Sequence, residues 1–278
     1  ATLQQGIQPK WQWWKGRLDL TTLDLSLSEV FRFYKNPQRY FIQNCLGMRL
    51  DEGEDQPEER ELFELTGLEK YHVEQDLVQS ALSGTITDRL HRLQVEGLWP
   101  LGNSGNLTFD TKKEDIVEFA RLVQAQGMGA RTEDLQVDIT AGKHRLTGRL
   151  SNLYEKGALL LRYGKMRGSD LLCGWLHHLI LCRTRGAGKT LIVSPEKILH
   201  FNSVQDDEVL TTLLDLFIEG NRAPSQFVVE PAYEYARHTV SKRSRTLPLD
   251  AAMKEFDQRF DKGYEPEWAL LFGGSSEF

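Results

Sequence analysis

Cysteine is scarce in this 278-residue chain: Cys45, Cys173 and Cys182 lie far apart, and none belongs to a CxxC pair. That excludes a disulfide scaffold and a cysteine-rich zinc cluster, leaving reduced thiols in a folded body as the expectation. Long apolar runs are missing as well. The densest stretch, Leu171 to Cys182, is interrupted by Gly174, His177 and His178, so nothing reaches the length of a membrane span. The first ten residues hold neither an apolar signal core nor an Arg-rich amphipathic pattern. A soluble, cytoplasmic protein with no membrane partner is therefore expected. Basic charge is not in excess either. Lys and Arg number 34 against 40 Asp and Glu, a net charge of -6, which argues against coating nucleic acid by bulk positive charge. A local basic groove stays open.

Several catalytic signatures are absent too. Seven histidines (His72, His91, His144, His177, His178, His200 and His238) form no H-x-x-x-H pair, and the neighbours His177 and His178 point about 100° apart on a helix. No G-x-S-x-G elbow occurs. Gly186-Ala187-Gly188-Lys189-Thr190 imitates half of a phosphate-binding loop, but Arg183 stands where the first glycine belongs. Its context is reversed as well, because these glycines follow a helix and lead into a strand. A helix C-cap and turn is the expected structure.

Hydrophobic residues at 40% and charged residues at 27% give enough material for a core, and the length suits one large domain or two smaller ones. The absence of an initiator Met and the early cluster Trp11, Trp13 and Trp14 suggest a piece of a longer polypeptide, with residues 1–25 a linker or remnant. Ser26 to Leu50 reads as an aromatic-faced helix, capped by Asp24 or Ser26 with Glu29 as in a capping box, and interrupted by Pro37 near Lys35–Asn36. The eight acidic residues between Asp51 and Glu64 read as a solvated loop. Helices are predicted over Leu68–Leu82 and Ile86–Glu96, a turn-rich connector over Gly97–Asn106, and a short helix over Asp115–Ala125. From Leu135 the period changes to two: strands at Leu135–Ile139, His144–Tyr154 and Ala158–Arg162 form a meander with a turn at Glu155–Gly157. A helix over Asp170–Arg183, a strand Leu191–Val193 and helices Asp206–Glu219 and Asp250–Phe260 complete an α/β domain, with a helical part at about 26–130 and a sheet core at about 131–278.

Gly148-Arg149-Leu150-Ser151, the turn at Gly157, and Tyr163-Gly164-Lys165 are laid out like a metal-dependent nuclease site. Such a site needs one acid at the end of a strand, a second acid with a lysine on the hairpin partner, and then a helix; the acids hold Mg²⁺ and the lysine polarises water or phosphate. Here Ser151 occupies the first acid's position and Tyr163 the second's, and a hydroxyl and a phenol are poor Mg²⁺ ligands. Lys165 is left without a metal. Asp138, Glu155 and Asp170 are the acids nearby in sequence: Asp138 lies on the neighbouring strand, Glu155 in the far turn, and Asp170 is placed to cap the next helix.

These motifs resemble the RecB/AddB-type nuclease domains, whose pattern is roughly G-x-I-D, hairpin, D-Y-K, helix. The departures match the C-terminal domain of RecC. Ser26-Leu27-Ser28-Glu29 with Phe31, Asn36-Pro37 and Tyr40-Phe41 is similar to the opening helix of these domains, with Asn36 where the iron–sulfur members carry cysteine. Gly220 to Pro231 and Glu267 to Phe272 resemble the RecC tail. The resemblance runs from about Trp14 onward. It implies a restriction-endonuclease-like (PD-(D/E)XK-type) fold, a central mixed sheet flanked by helices with a helical N-terminal part. It also implies a non-catalytic domain of the RecBCD helicase–nuclease, which processes double-strand DNA ends for recombination. The implied partners are the RecD and RecB subunits, double-stranded DNA ends and unwound single strands. No cofactor is implied, with Mg²⁺ the alternative should displaced carboxylates rebuild the site.

Basic residues cluster at Arg162, Lys165 and Arg167, at Arg183, Arg185 and Lys189, and most densely in a loop at Arg237, His238, Lys242, Arg243 and Arg245. Arg237, Lys242, Arg243 and Arg245 are the sequence's candidates for phosphate contact. Trp99, on its Gly/Pro-rich connector, is a candidate for base stacking, against burial in the core.

Overall fold

Alternation of apolar and polar residues after Leu135 sets the first sheet in the computed structural model, which describes residues 14, 16–19, 24–50, 67–204, 206–242 and 244–272. Strand β2 (Leu135–Ala141) pairs antiparallel with β3 (His144–Leu150) along its whole length, from Leu135 opposite Leu150 to Ala141 opposite His144. On the other edge of β3 lies a short parallel strand, β1 (Asp24–Ser26), which periodicity does not reveal. Its last residue is also the N-cap of α1 (Leu27–Lys35). The Ser26 hydroxyl bonds the Ser28 hydroxyl at 2.9 Å, and no side chain caps this helix. Gly148 lets α1 press close: a Cβ there would lie 2.7 Å from the Leu27 Cβ, and its φ of 150° suits glycine.

The predicted strand His144–Tyr154 is in fact two. Asn152 has a φ of 60°, a left-handed conformation Asn tolerates better than most residues, and it breaks the strand into β3 and β4 (Leu153–Tyr154). The chain thereby leaves the first sheet, order β1-β3-β2, and starts a second. After a tight turn, β4 pairs antiparallel with β5 (Gly157–Leu161), which runs parallel to β6 (Thr190–Val193). An unpredicted strand, β7 (Ile198–Phe201), closes the order β4-β5-β6-β7. The architecture is α/β with two mixed sheets in place of one three-stranded meander.

Helices cover both sheets. As Pro37 predicts, α1 stops at Asn36 and the chain restarts as α2 (Pro37–Tyr40), continued by a π-helical turn over Phe41–Cys45. Helix α3 (Gly67–Leu82), a 3₁₀ turn (Ile86–Asp88) and α4 (Arg89–Val95) follow the predicted bounds closely. The next helix, α5, spans Gly102–Gln124 and so consumes half of the predicted connector. Its first turns, Gly-Asn-Ser-Gly-Asn, are poor helix formers. They are held from outside: the Trp99 indole N–H donates to the Gly105 carbonyl at 2.8 Å, and Gly105 packs directly on the Pro100 carbonyl. Side chains of α3, α4 and α5 join Leu159, Leu191 and Val193 of the second sheet in one apolar cluster.

A second cluster centres on α6 (Gly168–Arg185), joining its Leu176, Leu179 and Ile180 to both sheets, to α1 and to α7 (Asp207–Arg222). Gly186 ends α6 in the left-handed conformation, so the glycines of the imitation phosphate loop are a C-cap and turn. Helix α8 (Val229–Val240) was not predicted; α9 (Pro248–Asp261) and α10 (Pro266–Phe272) complete the chain. The acidic run 51–64 lies outside the described residues, as do Trp11 and Trp13, while Trp14 packs edge-on against Phe41. Among the described residues no helix is long and apolar enough to cross a membrane. The cysteines are free; Cys182 is buried, Cys45 and Cys173 partly so.

Candidate functional site

The strand ends at Ser151 and Leu161 and the start of α6 converge on the floor of a cleft of about 1280 Å³. One wall comes from α1 and α2, a second from α3 through Tyr71, Gln75 and Gln79, and a third from the α9–α10 junction through Arg259, Tyr264 and Glu265. Among the described residues seven cationic side chains line it: Arg32, Lys35, Arg39, Arg131, Arg162, Arg167 and Arg259. Among the described residues only two carboxylates do, Asp170 and Glu265.

Ser151 is half-buried on the floor, and its carbonyl lies 2.8 Å from His177 Nε2. His177 is buried, and that burial holds its pKa below the ordinary histidine value, so the neutral ring donates to Ser151. His178 turns away, as adjacent helical positions must, to Thr190 Oγ1 at 3.0 Å and the Asn202 carbonyl at 2.8 Å. Tyr163 does not share the cleft with Ser151. It faces α5, with its ring 5.4 Å from Phe119 and Lys112 Nζ 5.7 Å from its centroid, and burial raises its phenol pKa. Its neighbour Arg162 faces the cleft instead. Its Nε lies 3.2 Å from Asp170 Oδ2, and its guanidinium sits 5.2 Å over the Tyr71 ring. Lys165 is exposed, does not line the cleft, and forms no ion pair with a described residue.

The acids near this site are already engaged. Asp170 accepts the Arg167 backbone N–H at 2.9 Å, capping α6 as predicted, while its carboxylate also meets Arg162. Asp138, on β2, makes two 2.8 Å bonds to Arg145, which hold its carboxyl below the usual range. Glu265 is drawn the other way. Burial raises its carboxyl pKa although Arg39 and Arg259 stand beside it. No three His, Cys, Asp or Glu among the described residues are grouped to hold a metal ion. The first turn of α6, with unpaired N–H groups that would attract an anion, is taken by Glu230 of α8: its carboxylate accepts from Gly168 N at 2.7 Å and Ser169 N at 3.0 Å. Asn36 caps α2 through Arg39 N at 2.9 Å and donates to Glu265 at 2.5 Å.

The sequence's nucleic-acid candidates fall elsewhere. Arg237 and His238 belong to the last turn of α8, not to a loop, and Arg237 pairs with Glu234. Lys242 and Arg245 are exposed beyond that helix, Arg243 lies outside the described residues, and none of Arg237, Lys242 and Arg245 lines the cleft. Trp99 is buried edge-on against Phe109, its rings 5.6 Å apart, and offers no face to a base. Of the cleft cations, Arg162 and Arg167 stand in a basic cluster that the sequence shows, while Arg32, Lys35, Arg39, Arg131 and Arg259 went unread because the lining comes from four distant segments. One signal was present: Arg32, Lys35 and Arg39 recur at helical spacing beside the aromatic positions. Arg131 and Arg259 carry no local mark.

The family model described as RecC C-terminal domain matches residues 22–239, well over half of the chain. The chain belongs to the RecC C-terminal domain family. Among curated relatives of this family, the RecBCD enzyme subunit RecC of Escherichia coli strain K12 is 22% identical over 254 residues, 86% of this chain and 22% of that protein. The same subunit of Buchnera aphidicola subsp. Schizaphis graminum is 24% identical over 207 residues, 74% of this chain and 19% of that protein. That of Haemophilus influenzae is 22% identical over 198 residues, 68% and 18% respectively. The chain thus spans about a fifth of the length of the RecC subunits it matches. The family match covers β1 to α8, and so every segment of the cleft except the α9–α10 junction.

Proposed function

We propose that this chain is a nuclease-like fold of the PD-(D/E)XK type that has lost its metal site and serves as a non-catalytic domain of a RecBCD-type helicase–nuclease. In that assembly it docks the RecD motor, contacts RecB, and guides or separates the strands of a DNA end in the cytoplasm during break repair by recombination. The helical layer and the sheet core act as one unit, a reading supported by the apolar cluster that α3, α4 and α5 share with β5 and β6.

One observation carries this reading. Where a nuclease of this layout needs two acids around a divalent cation, the floor presents Ser151 and the guanidinium of Arg162, with Asp170 already bonded to that arginine and to the α6 backbone. A guanidinium on the cleft floor beside Asp170 repels Mg²⁺, and one committed carboxylate does not balance a dication, so this donor set does not suit the ion. The remaining chemistry of the floor is that of holding rather than cutting.

Calorimetric titration with Mg²⁺ and Mn²⁺, alongside a nuclease assay on single-stranded DNA, tests the reading. No heat above background, no cleavage and capture of purified RecD are the expected results. A metal site of millimolar affinity or better, with cleavage abolished by Lys165→Ala, would overturn it in favour of a nuclease with displaced carboxylates.

A further inference from the structure

Strand β2 lies last in the order β1-β3-β2 and is seven residues long, against three in β1, two in β4 and four in β7, the other sheet margins. Ala141 and His144 flank the two-residue turn Gly142-Lys143, which Gly142 opens with a φ of 57°. Such a turn closes on a hydrogen-bonded pair, and bonded pairs then recur at every second residue. Leu135, Val137, Ile139 and Ala141 therefore bond β3, while the N–H and C=O groups of Gln136, Asp138 and Thr140 point away from it. Among the described residues these outward groups have a single partner: Arg183 Nη2 donates to the Thr140 carbonyl, at a long 3.4 Å.

A bare strand edge pairs readily with another chain, and proline, lysine and bulges are the usual guards. β2 carries none of them: it reads Leu-Gln-Val-Asp-Ile-Thr-Ala, and its register with β3 is unbroken. The core side of this edge is apolar and incompletely covered. Leu135 and Ile139 are only half-buried, on either side of the buried Val137. A hollow of about 120 Å³, lined by Leu179, Cys182, Val204, Leu210 and Arg183 itself, has room for an aliphatic side chain. The solvent side carries Asp138, 54% exposed.

Asp138 decides between occupants. Two copies of this chain, paired antiparallel through all three outward residues, would set Asp138 against Asp138, and like charges directly opposite destabilise a sheet. A cation in that place meets the opposite situation. Arg145 takes one bond from each carboxylate oxygen, and a carboxylate has about four acceptor sites, so a second cation can share it. We propose that β2 is a docking edge for an extended segment of a different protein. The segment adds a fourth strand through Gln136, Asp138 and Thr140, sets a lysine or arginine opposite Asp138, and lays aliphatic side chains beside Leu135 and Ile139. No residue of β2 lines the cleft, and the edge stands whether or not the metal site is lost.

The experiment is fluorescence anisotropy of the chain with a labelled peptide, Val-Thr-Val-Lys-Val-Thr-Val, with amide hydrogen exchange followed by NMR. Without peptide, the amides of Gln136, Asp138 and Thr140 are expected to exchange at least about tenfold faster than those of Val137 and Ile139; saturating peptide should slow the three about tenfold. Gln136→Pro removes an outward N–H and no bond to β3, a position where edge strands tolerate proline. It is expected to bind at least about tenfold more weakly, with little change in thermal unfolding. Thr140→Pro makes the same test from the other end, should the first variant fail to fold. A peptide with glutamate in place of the lysine is expected to bind about two- to fivefold more weakly. Equal binding by the parent and a folded proline variant, no protection of the three amides, or no saturable binding would overturn the docking edge. Protection of those amides without peptide, growing with protein concentration, would overturn the choice of occupant in favour of a second copy.

Discussion

Arg237, Lys242 and Arg245 are neighbours in sequence, whereas Arg32, Arg131, Arg167 and Arg259 come from four distant segments and meet around one cleft. The first group ends a helix on an open surface, and Arg237 already answers Glu234 one turn earlier. The second group lines concave walls with two exposed rings among them. Density of charge along a chain says little about density in space. Exposed charges on a convex surface are screened within about a Debye length, while a cleft with low-dielectric walls concentrates their field.

Glu230 links the two regions, since α8 carries it to the N-terminus of α6 under the cleft. Glu230→Ala removes two charge-assisted bonds and leaves two helical N–H groups without a partner, a loss of about 3 kcal/mol. Thermal unfolding at lower temperature, with weaker strand binding in step, is expected. Unchanged stability would show that the basic end of α8 and the cleft are independent bodies.

A smaller effect comes from His177, whose burial lowers its pKa below about 6.5, the ordinary value. As pH falls through 6.5 the unfolded chain takes up this proton before the folded one does, so the stabilisation present above 6.5 is lost on acidification. The slope is at most about 1.4 kcal/mol per pH unit for this one group. Denaturant unfolding of the parent between about pH 7.5 and 5.5, a window that brackets the ordinary histidine pKa, should show the loss. His177→Gln, which keeps a donor for Ser151 and never charges, should show less of it. Equal slopes would remove His177 as the cause.

The smallest effect sharpens the comparison from the other side. Arg237→Ala/Lys242→Ala/Arg245→Ala should change stability by no more than about 0.5 kcal/mol. Binding of a labelled single-stranded oligonucleotide, read by fluorescence anisotropy, should change by less than about threefold. A loss of tenfold or more, about 1.4 kcal/mol, would restore the sequence's own choice.

Much of the architecture could be read from periodicity, and the failures have local physical causes. Strong patterns held: Gly67–Leu82, Leu135–Ala141 and Thr190–Val193 are where apolar spacing put them. Strands of three or four residues, β1 and β7, are too short to show a period. The start of α5 is written in residues that disfavour helix and is held by Trp99, an interaction that spacing does not reveal. The β3–β4 break depends on the one described non-glycine residue with positive φ, Asn152. At the floor, Ser151 of the motif lines the cleft, whereas Tyr163 packs on α5 and its neighbour Arg162 faces the cleft. At a strand end one residue reverses the face, which turned a guanidinium in the cleft into a phenol packed on α5.

The carboxylate that fills the first turn of α6 has a consequence for how the molecule answers ionic strength. A diffusible anion at a helix N-terminus competes with every other anion in solution, but Glu230 is tethered through the same chain and is present at a high effective concentration. Chloride or phosphate from the medium must displace a ligand that never leaves the neighbourhood. Salt is therefore expected to screen the exposed cations on the cleft walls at concentrations that leave the junction of α6 and α8 intact, so the charge of the walls can be masked without loosening the frame beneath them.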